Sequence, residues 1–184
     1  MAELSGKKIL VLVTNQGVEQ DELKVPLEKL RADGAEVTVA APETGEVKSL
    51  VGDWDRGETF PVDQTISSVN ESEYDLLLLP GGTLNADALR LDQDAQKTAN
   101  AFASSGRPVA ALCHGPWLLV ETGLVDGKTL TSYPSVKTDI VNAGGNWVDQ
   151  EVKVCPAKEW TLITSRNPGD LDAFCLLYTS PSPR

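Results

Sequence analysis

Three short apolar runs, each cut off by a turn, constrain the fold of this chain more than any other feature. Lys7 to Thr14 reads KKILVLVT, Tyr74 to Leu79 reads YDLLLL and Pro108 to Leu112 reads PVAAL. None alternates polar with apolar residues. Each therefore suits a strand buried on both faces, as in a parallel sheet covered by helices. Between the first two, Gln20 to Ala32 carries Leu23, Leu27 and Leu30 at helical spacing, and Gly34 follows as a C-terminal cap. Pro26 either begins the regular part of that helix or kinks it. Glu36 to Ala41 is a second strand, so the chain opens β-α-β with a right-handed crossover and a parallel sheet.

The remaining segments fit the same plan. Val47 to Val62 reads as a small β excursion, and Gln93 to Ser105 as a helix turning Ala95, Ala99 and Phe102 inward. Pro116 to Thr122 is helical, as is a stretch near Ser135 to Ala143. Short extended segments are expected at Lys128 to Thr131, near Trp147 to Val154 and at Thr161 to Thr164. Pro168-Gly169-Asp170 opens a last helix, with Asp170 as its cap or first-turn acid. The expectation is one domain over residues 1–177. Residues 178–184 (YTSPSPR) are expected to leave the helix as a disordered or non-native tail, because Pro181 and Pro183 break it.

Composition narrows the function. The formal net charge of −11 disfavours nucleic acid as a partner, since a phosphate backbone is repelled. No window approaches the ~18 consecutive apolar residues that cross a bilayer. The N-terminus lacks the pattern of a signal peptide, so the expected location is the cytosol. Cys113, Cys155 and Cys175 show no CxxC spacing, which argues against a disulfide framework or a structural zinc site; no metal and no cofactor is expected. His114 is the only histidine, which excludes any site built from two.

In open parallel sheets, sites form beyond the carboxyl ends of the strands. Here those ends lead to residues 15–22, to Pro80-Gly81-Gly82, and to Cys113-His114-Gly115-Pro116. The last is the strongest signal. A nucleophile between strand and helix sits on a tight turn that pushes its side chain out of the sheet, a nucleophile elbow. Such a turn needs a small residue soon after, and Gly115 supplies it. Pro116 suits a helix start. A helix N-terminus aimed at the sulfur would favour thiolate over thiol. The alternative is that Cys113 is a buried small hydrophobe at a strand end.

Gly81-Gly82 offers an unobstructed backbone N–H, and with the His114 N–H it makes a candidate oxyanion hole from Gly82 and His114. Glu22 and Glu19 leave the first strand at the same sheet edge. A carboxyl group there accepts or shares a cysteine proton; alternatively both are solvated first-turn acids. Gly81, Gly115, Glu19 and Asp87 complete the candidate surroundings of Cys113, His114 and Glu22.

These residues, in this order, resemble the PfpI family of intracellular cysteine proteases and stress proteins, within the class I glutamine-amidotransferase-like superfamily. The resemblance is carried by GVEQDEL at 17–23, LLLPGG at 77–82, PVAALCHGPWLL at 108–119, TSYPSVKTDIVNAGGNWVD at 131–149 and TSRNPGDL at 164–171. It implies a flavodoxin-like three-layer α/β/α sandwich and a homodimer or higher homo-oligomer. It also implies Cys113 as nucleophile, His114 as its neighbour and Glu22 as the carboxylate touching sulfur, with the amides of Gly82 and His114 at the oxyanion position. Family members are described as proteases, as glyoxalases or deglycases acting on methylglyoxal adducts, and as stress chaperones. The implied partner is thus a small carbonyl compound or a glycated protein or peptide. Some protease-like members place a glutamate shortly after the Gly pair; here that position is Ala86, next to Asp87. Glutaminase chemistry needs a second, distant histidine, which this chain lacks.

Overall fold

The computed structural model describes residues 3–179. The first apolar run forms β1 (Lys8–Leu12), followed by β2 (Gln16–Glu19), α1 (Gln20–Ala32) and β3 (Glu36–Ala41). A hairpin of β4 (Glu46–Val51) and β5 (Asp55–Pro61) comes next, then the short β6 (Gln64–Thr65) and β7 (Leu76–Leu79). Helices α2 (Thr83–Leu89) and α3 (Gln93–Ser104) precede β8 (Val109–Leu112) and α4 (Trp117–Glu121). The chain closes with β9 (Thr129–Leu130), α5 (Lys137–Asn142), β10 (Asn146–Trp147), β11 (Val152–Cys155), β12 (Leu162–Ser165) and α6 (Leu171–Thr179).

Among the described residues the main sheet has the order β11-β12-β8-β7-β1-β3-β6. All neighbours run parallel except β11, which pairs antiparallel with β12. Successive strand residues face opposite sides, and each side has its own core. Ile9, Val11, Val37, Val39, Leu76 and Leu78 pack with Leu23, Leu27 and Leu30 of α1 and with Leu171 and Phe174 of α6. Leu10, Leu12, Leu77, Leu79, Val109 and Ala111 pack with Ala95, Ala99 and Phe102 of α3 and with Leu118 and Leu119 of α4. The result is the three-layer α/β/α sandwich. Continuous apolar runs arise because both faces are covered. Among the described residues no helix is long and apolar enough to cross a membrane.

Several expectations are refined. Helix α1 begins at Gln20, so Pro26 lies inside it, buried, and does not start it. Residues 16–19, which the sequence pattern assigns to no element, form β2 and pair parallel with β4. Helix α2 is an element the apolar spacing does not announce. The stretch near 147–154 is two strands, β10 and β11, in different sheets. Asp170 is the first-turn acid of the 3-10 turn Pro168–Asp170 that leads into α6; Asn167 caps that turn by accepting from the Gly169 N–H, and the Asp170 carboxylate accepts from the Arg166 backbone and guanidinium at 2.9–3.0 Å. Helix α6 runs on to Thr179, two residues further than expected. Proline constrains its own position and the residue before it, so Pro181 leaves 178 and 179 able to be helical. The rest of the expected tail, 180–184, lies outside the described residues.

Candidate active site

Three strand ends of the main sheet converge. β8 delivers Cys113, β7 delivers Gly81 and Gly82, and the loop after β1 leads through β2 to Glu19 and Glu22 at the start of α1. Cys113 sits at φ 61, in the left-handed region that non-glycine residues seldom occupy. Its backbone is held there from both sides. Its N–H donates to the Ser165 carbonyl at 3.0 Å, and its carbonyl accepts from the Tyr133 N–H at 2.9 Å. Backbone strain of this kind costs about 1–3 kcal/mol and persists where surrounding bonds enforce it. Gly115 is needed for crowding and not for its φ. A Cβ there would stand 2.4 Å from the Leu79 carbonyl oxygen and 2.9 Å from that of Leu112.

The Gly pair brings carboxyl and thiol together. A Cβ on Gly81 would meet Glu22 Oε1 at 2.5 Å and Cys113 Cβ at 2.8 Å, so the two side chains flank one glycine. The Gly81 N–H donates to Glu22 Oε1 at 2.8 Å. The other oxygen, Oε2, meets no protein group in hydrogen-bond geometry, and the Cys113 thiol is the polar side chain the carboxyl otherwise reaches. Gly82, at φ 88, has no room for a side chain either, since a Cβ would lie 2.4 Å from the Gly17 carbonyl. Its N–H and that of His114 both act to favour a charged sulfur.

Protonation follows from burial. Glu22 is 1% exposed, and desolvation pushes its carboxyl up to about 8, against the opposing pull of the Gly81 N–H. It is therefore protonated near neutral pH, and the proton belongs on Oε2, because Oε1 already accepts from a backbone donor. Burial also pushes the Cys113 thiol up, and a charged Glu22 would push it further, while the His114 and Gly82 amides oppose both. Burial thus works against the expected thiolate and favours a thiol near neutral pH. The helix argument fails in magnitude, since α4 is five residues long and begins only at Trp117, while the sulfur is desolvated.

His114 lies with its ring Nδ1 3.2 Å from Cys113 Sγ. Its Nε2 approaches Thr83 Oγ1 at 3.4 Å and Ser135 Oγ at 3.3 Å. The ring stacks on Tyr133 at a centroid distance of 4.6 Å and meets Trp117 edge-on. Burial lowers its pKa, partly offset by the negative charge of Asp53, so the imidazole is neutral near pH 7. Nδ1 of a neutral ring is a proton acceptor in one tautomer and a donor in the other.

Glu19 does not touch the sulfur. Its carboxylate accepts from the Gly52 and Asp53 N–H groups at 2.8 and 3.1 Å, tying the β4–β5 turn to the start of α1. Asp87 is exposed on α2 and takes no part in these hydrogen bonds. Sequence reasoning missed Thr83, Asp53, Ser135, Tyr133 and Asn85. Asn85 is fully buried, accepts from the Thr14 N–H at 2.7 Å and donates to the Gly81 carbonyl at 3.0 Å, so it fastens β1 to the Gly turn. The signal for Tyr133 and Ser135 is the TSYP stretch at 131–134, which runs up to Ser135. Among the described residues no group of three or more His, Cys, Asp and Glu side chains is arranged to hold a metal.

A strained cysteine between a parallel strand and a helix, with an imidazole nitrogen 3.2 Å from its sulfur and a buried acid beside it, defines an α/β protein of the cysteine-elbow class. The chain belongs to the DJ-1/PfpI family, which it matches over residues 7–180. YraA of Bacillus subtilis, which carries a provisional cysteine protease name, is 41% identical over 168 residues, or 91% of this chain and 94% of YraA. The deglycase PfpI of Pyrococcus furiosus is 38% identical over 167 residues, again 91% and 94% of the two chains. The structure of oxidized DJ-1 from Toxoplasma gondii matches with a TM-score of 0.79 at 29% identity, covering 93% of this chain and 88% of that one.

Proposed function

We propose that this protein is a cytosolic, cofactor-free cysteine enzyme acting on reactive carbonyls or on their adducts with proteins. The observation that carries the reading is the neutral trio around the sulfur: a thiol 3.2 Å from a neutral imidazole nitrogen, beside a carboxyl that burial keeps protonated. The deglycase name of PfpI, a relative along nearly its whole length, supports it.

In this reading Cys113 Sγ attacks an aldehyde carbon while its proton passes to His114 Nδ1, and a C–S bond forms as the carbonyl π bond opens. The Gly82 and His114 N–H groups stabilise the resulting oxyanion. With a 2-oxoaldehyde, one proton then moves from the attacked carbon to its neighbour, carried by His114 or Glu22. The thioester left behind is hydrolysed by water to a 2-hydroxy acid. The aldehyde is oxidised and the adjacent ketone reduced, so no external oxidant is needed. With an amine adduct, the same groups protonate the departing nitrogen. Cys113 is only 6% exposed, which favours a small carbonyl over a polypeptide backbone and ranks peptidase activity second. Ala86, buried where some protease-like members carry a glutamate, weighs the same way.

A second reading rests on the same donors. Two amides and a protonated carboxyl would also hold a sulfinic acid, formed as the thiol consumes two peroxides and releases two waters; such a protein serves as a redox-responsive stress factor without turnover. The deciding measurement is turnover of methylglyoxal, a glycated peptide and casein, each with a Cys113→Ala control. Turnover of the first two and none of the third is expected. Turnover that survives in the control would sink the enzyme reading. A homodimer belongs to the proposal, supported by Trp54, which is 87% exposed at the β4–β5 turn. A monomer by light scattering at micromolar concentration would count against it.

A further inference from the structure

From the hydrogen bonds that end at its side chain, we infer that Asp53 acts through Thr83 as a positioning residue that sets the tautomer of His114, leaving Nδ1 as the acceptor for the Cys113 proton. The inference deepens the proposed function and rests on it for its catalytic meaning.

Asp53 lies on an exposed turn, yet its geometry is heavily determined. It stands at φ 60, a conformation asparagine and aspartate tolerate better than other side chains. Its own N–H and that of Gly52 are fixed by the Glu19 carboxylate. So held, it aims its carboxylate at Thr83. Oδ1 accepts from the Thr83 N–H at 2.9 Å, and Oδ2 accepts from the Thr83 hydroxyl at 2.8 Å. A strained residue held by such a set of bonds points to a role for the strain.

The consequence follows from donor counting. A hydroxyl has one proton, and a carboxylate can only accept. Thr83 spends its proton on Asp53, so the lone pairs of its oxygen are what remains for His114 Nε2 at 3.4 Å. That contact is favourable only if Nε2 carries the ring proton. A neutral imidazole with Nε2–H has a bare Nδ1, 3.2 Å from the Cys113 sulfur. Protons are then ordered in one direction: sulfur donates to Nδ1, Nε2 to Thr83, and Thr83 to Asp53. The positive charge that forms on the ring when Nδ1 takes the thiol proton lies toward the Asp53 carboxylate, whose field favours charged His114. Ser135 is neutral in the choice. Its hydroxyl, 3.3 Å from Nε2, can accept from Nε2–H or donate to a bare Nε2.

A plain structural role is the competing account: Asp53 would merely dock the β4–β5 turn onto α2 through the Thr83 N–H. Thr83→Val separates the two, because it keeps that N–H and removes the hydroxyl. His114 is the chain's only histidine, so in full-length 15N-labelled protein without a histidine tag the two ring-nitrogen resonances report on it alone. At pH 7.5 the wild-type ring is expected to carry its proton on Nε2. Thr83→Val and Asp53→Asn should shift it toward Nδ1–H, and Thr83→Ser should restore the wild-type pattern. The kcat for methylglyoxal should fall about tenfold in Thr83→Val with KM little changed, a smaller loss than the ~10²–10⁴ of a missing general base. An Nδ1–H tautomer in the wild type, or a Thr83→Val ring with the wild-type tautomer, overturns the inference. The tautomer is read without substrate, so a failure of the proposed function, seen as turnover in Cys113→Ala, is a separate result.

Discussion

Glu22 and Lys128 are buried ionisable side chains in two regions of this molecule, and they are accommodated in opposite ways. At the carboxyl edge of the sheet, Glu22 keeps one oxygen without a hydrogen-bond partner beside a strained cysteine. At the opposite corner, Lys128 is fully buried and its ammonium is surrounded by acceptors. It donates to the carbonyls of Cys155 (3.2 Å), Ala157 and Trp160 and lies over the Trp160 ring, 3.9 Å from the centroid. Burial pulls the Lys128 ammonium down to about 8, as it pushes the Glu22 carboxyl up to about 8. The perturbation is alike; the surroundings differ. Lys128 is satisfied by backbone that its own presence organises, joining β9 to the segment after β11. Glu22 is left incomplete next to a nucleophile. A shifted pKa alone does not mark a reactive site. An unmet hydrogen-bonding atom beside a reactive one is the better sign.

The comparison breaks most directly through Cys113. Replacing it by alanine should reduce methylglyoxal turnover on the order of 10³-fold or more, while the thermal midpoint and far-UV circular dichroism stay close to wild type. The elbow is held by backbone bonds that alanine keeps. A collapsed fold would return Cys113 to the status of a core residue.

Lys128→Met should act the other way. It leaves three carbonyls without their donor, and stability in urea should fall by about 1–3 kcal/mol, the usual cost of leaving buried polar groups unsatisfied. Methylglyoxal turnover per folded molecule should hold. A neutral effect on stability would remove the structural half of the contrast.

Glu22 makes a prediction with a definite sign. Its folded pKa, about 8, lies above the ordinary 4.5. Between those values the folded state binds a proton that the unfolded chain has released, so stability falls as pH rises. The stabilisation is complete below about 4.5 and gone above about 8; at ~1.4 kcal/mol per unit it amounts to a few kcal/mol. Glu22→Gln, an amide of the same shape that cannot ionise, should flatten that slope in urea titrations from pH 5 to 8. It should also abolish the decline in turnover expected above about pH 8, where wild-type Glu22 ionises against the thiol. Glu22→Asp should lower turnover through lost reach. An unchanged pH slope in Glu22→Gln would place the buried proton elsewhere.

The smallest expected effect concerns the crowded turn. Gly115→Ala puts a methyl group 2.4 Å from the Leu79 carbonyl, against backbone that cannot swing aside. A loss of about 1–3 kcal/mol is expected, as for other overpacked sites, with slower turnover because the elbow must shift. A fully stable, fully active variant would show that the turn is looser than its contacts indicate.

Much of this was legible in residues alone. The runs ending at Leu12, Leu79 and Leu112 announced strands covered on both faces, and the leucines of α1 declared its buried side. Cys113, Gly115 and Glu22 stood out because a strand–Cys–His–Gly–Pro sequence has few other uses. β2 did not, because its four residues have no periodicity of their own and are extended only through pairing with β4. α2 did not, because its N-cap position is Gly82, with no side chain to signal a start.

The sequence by itself determined the layered parallel sheet and the position of the elbow, since both follow from local patterns: period, turn chemistry and the absence of a side chain at Gly115. Only the tertiary structure decided the charge state of Glu22 and the environment of His114. Desolvation depends on what the whole fold places around a group, and a residue's neighbours along the chain do not report it. Thr83, Asp53 and Ser135 come from separate segments, and each is an ordinary polar residue in its own stretch. Thr83 and Ser135 meet at one imidazole, with Asp53 behind Thr83, only because the β4–β5 turn, the start of α2 and the loop before α5 fold over the same end of β8.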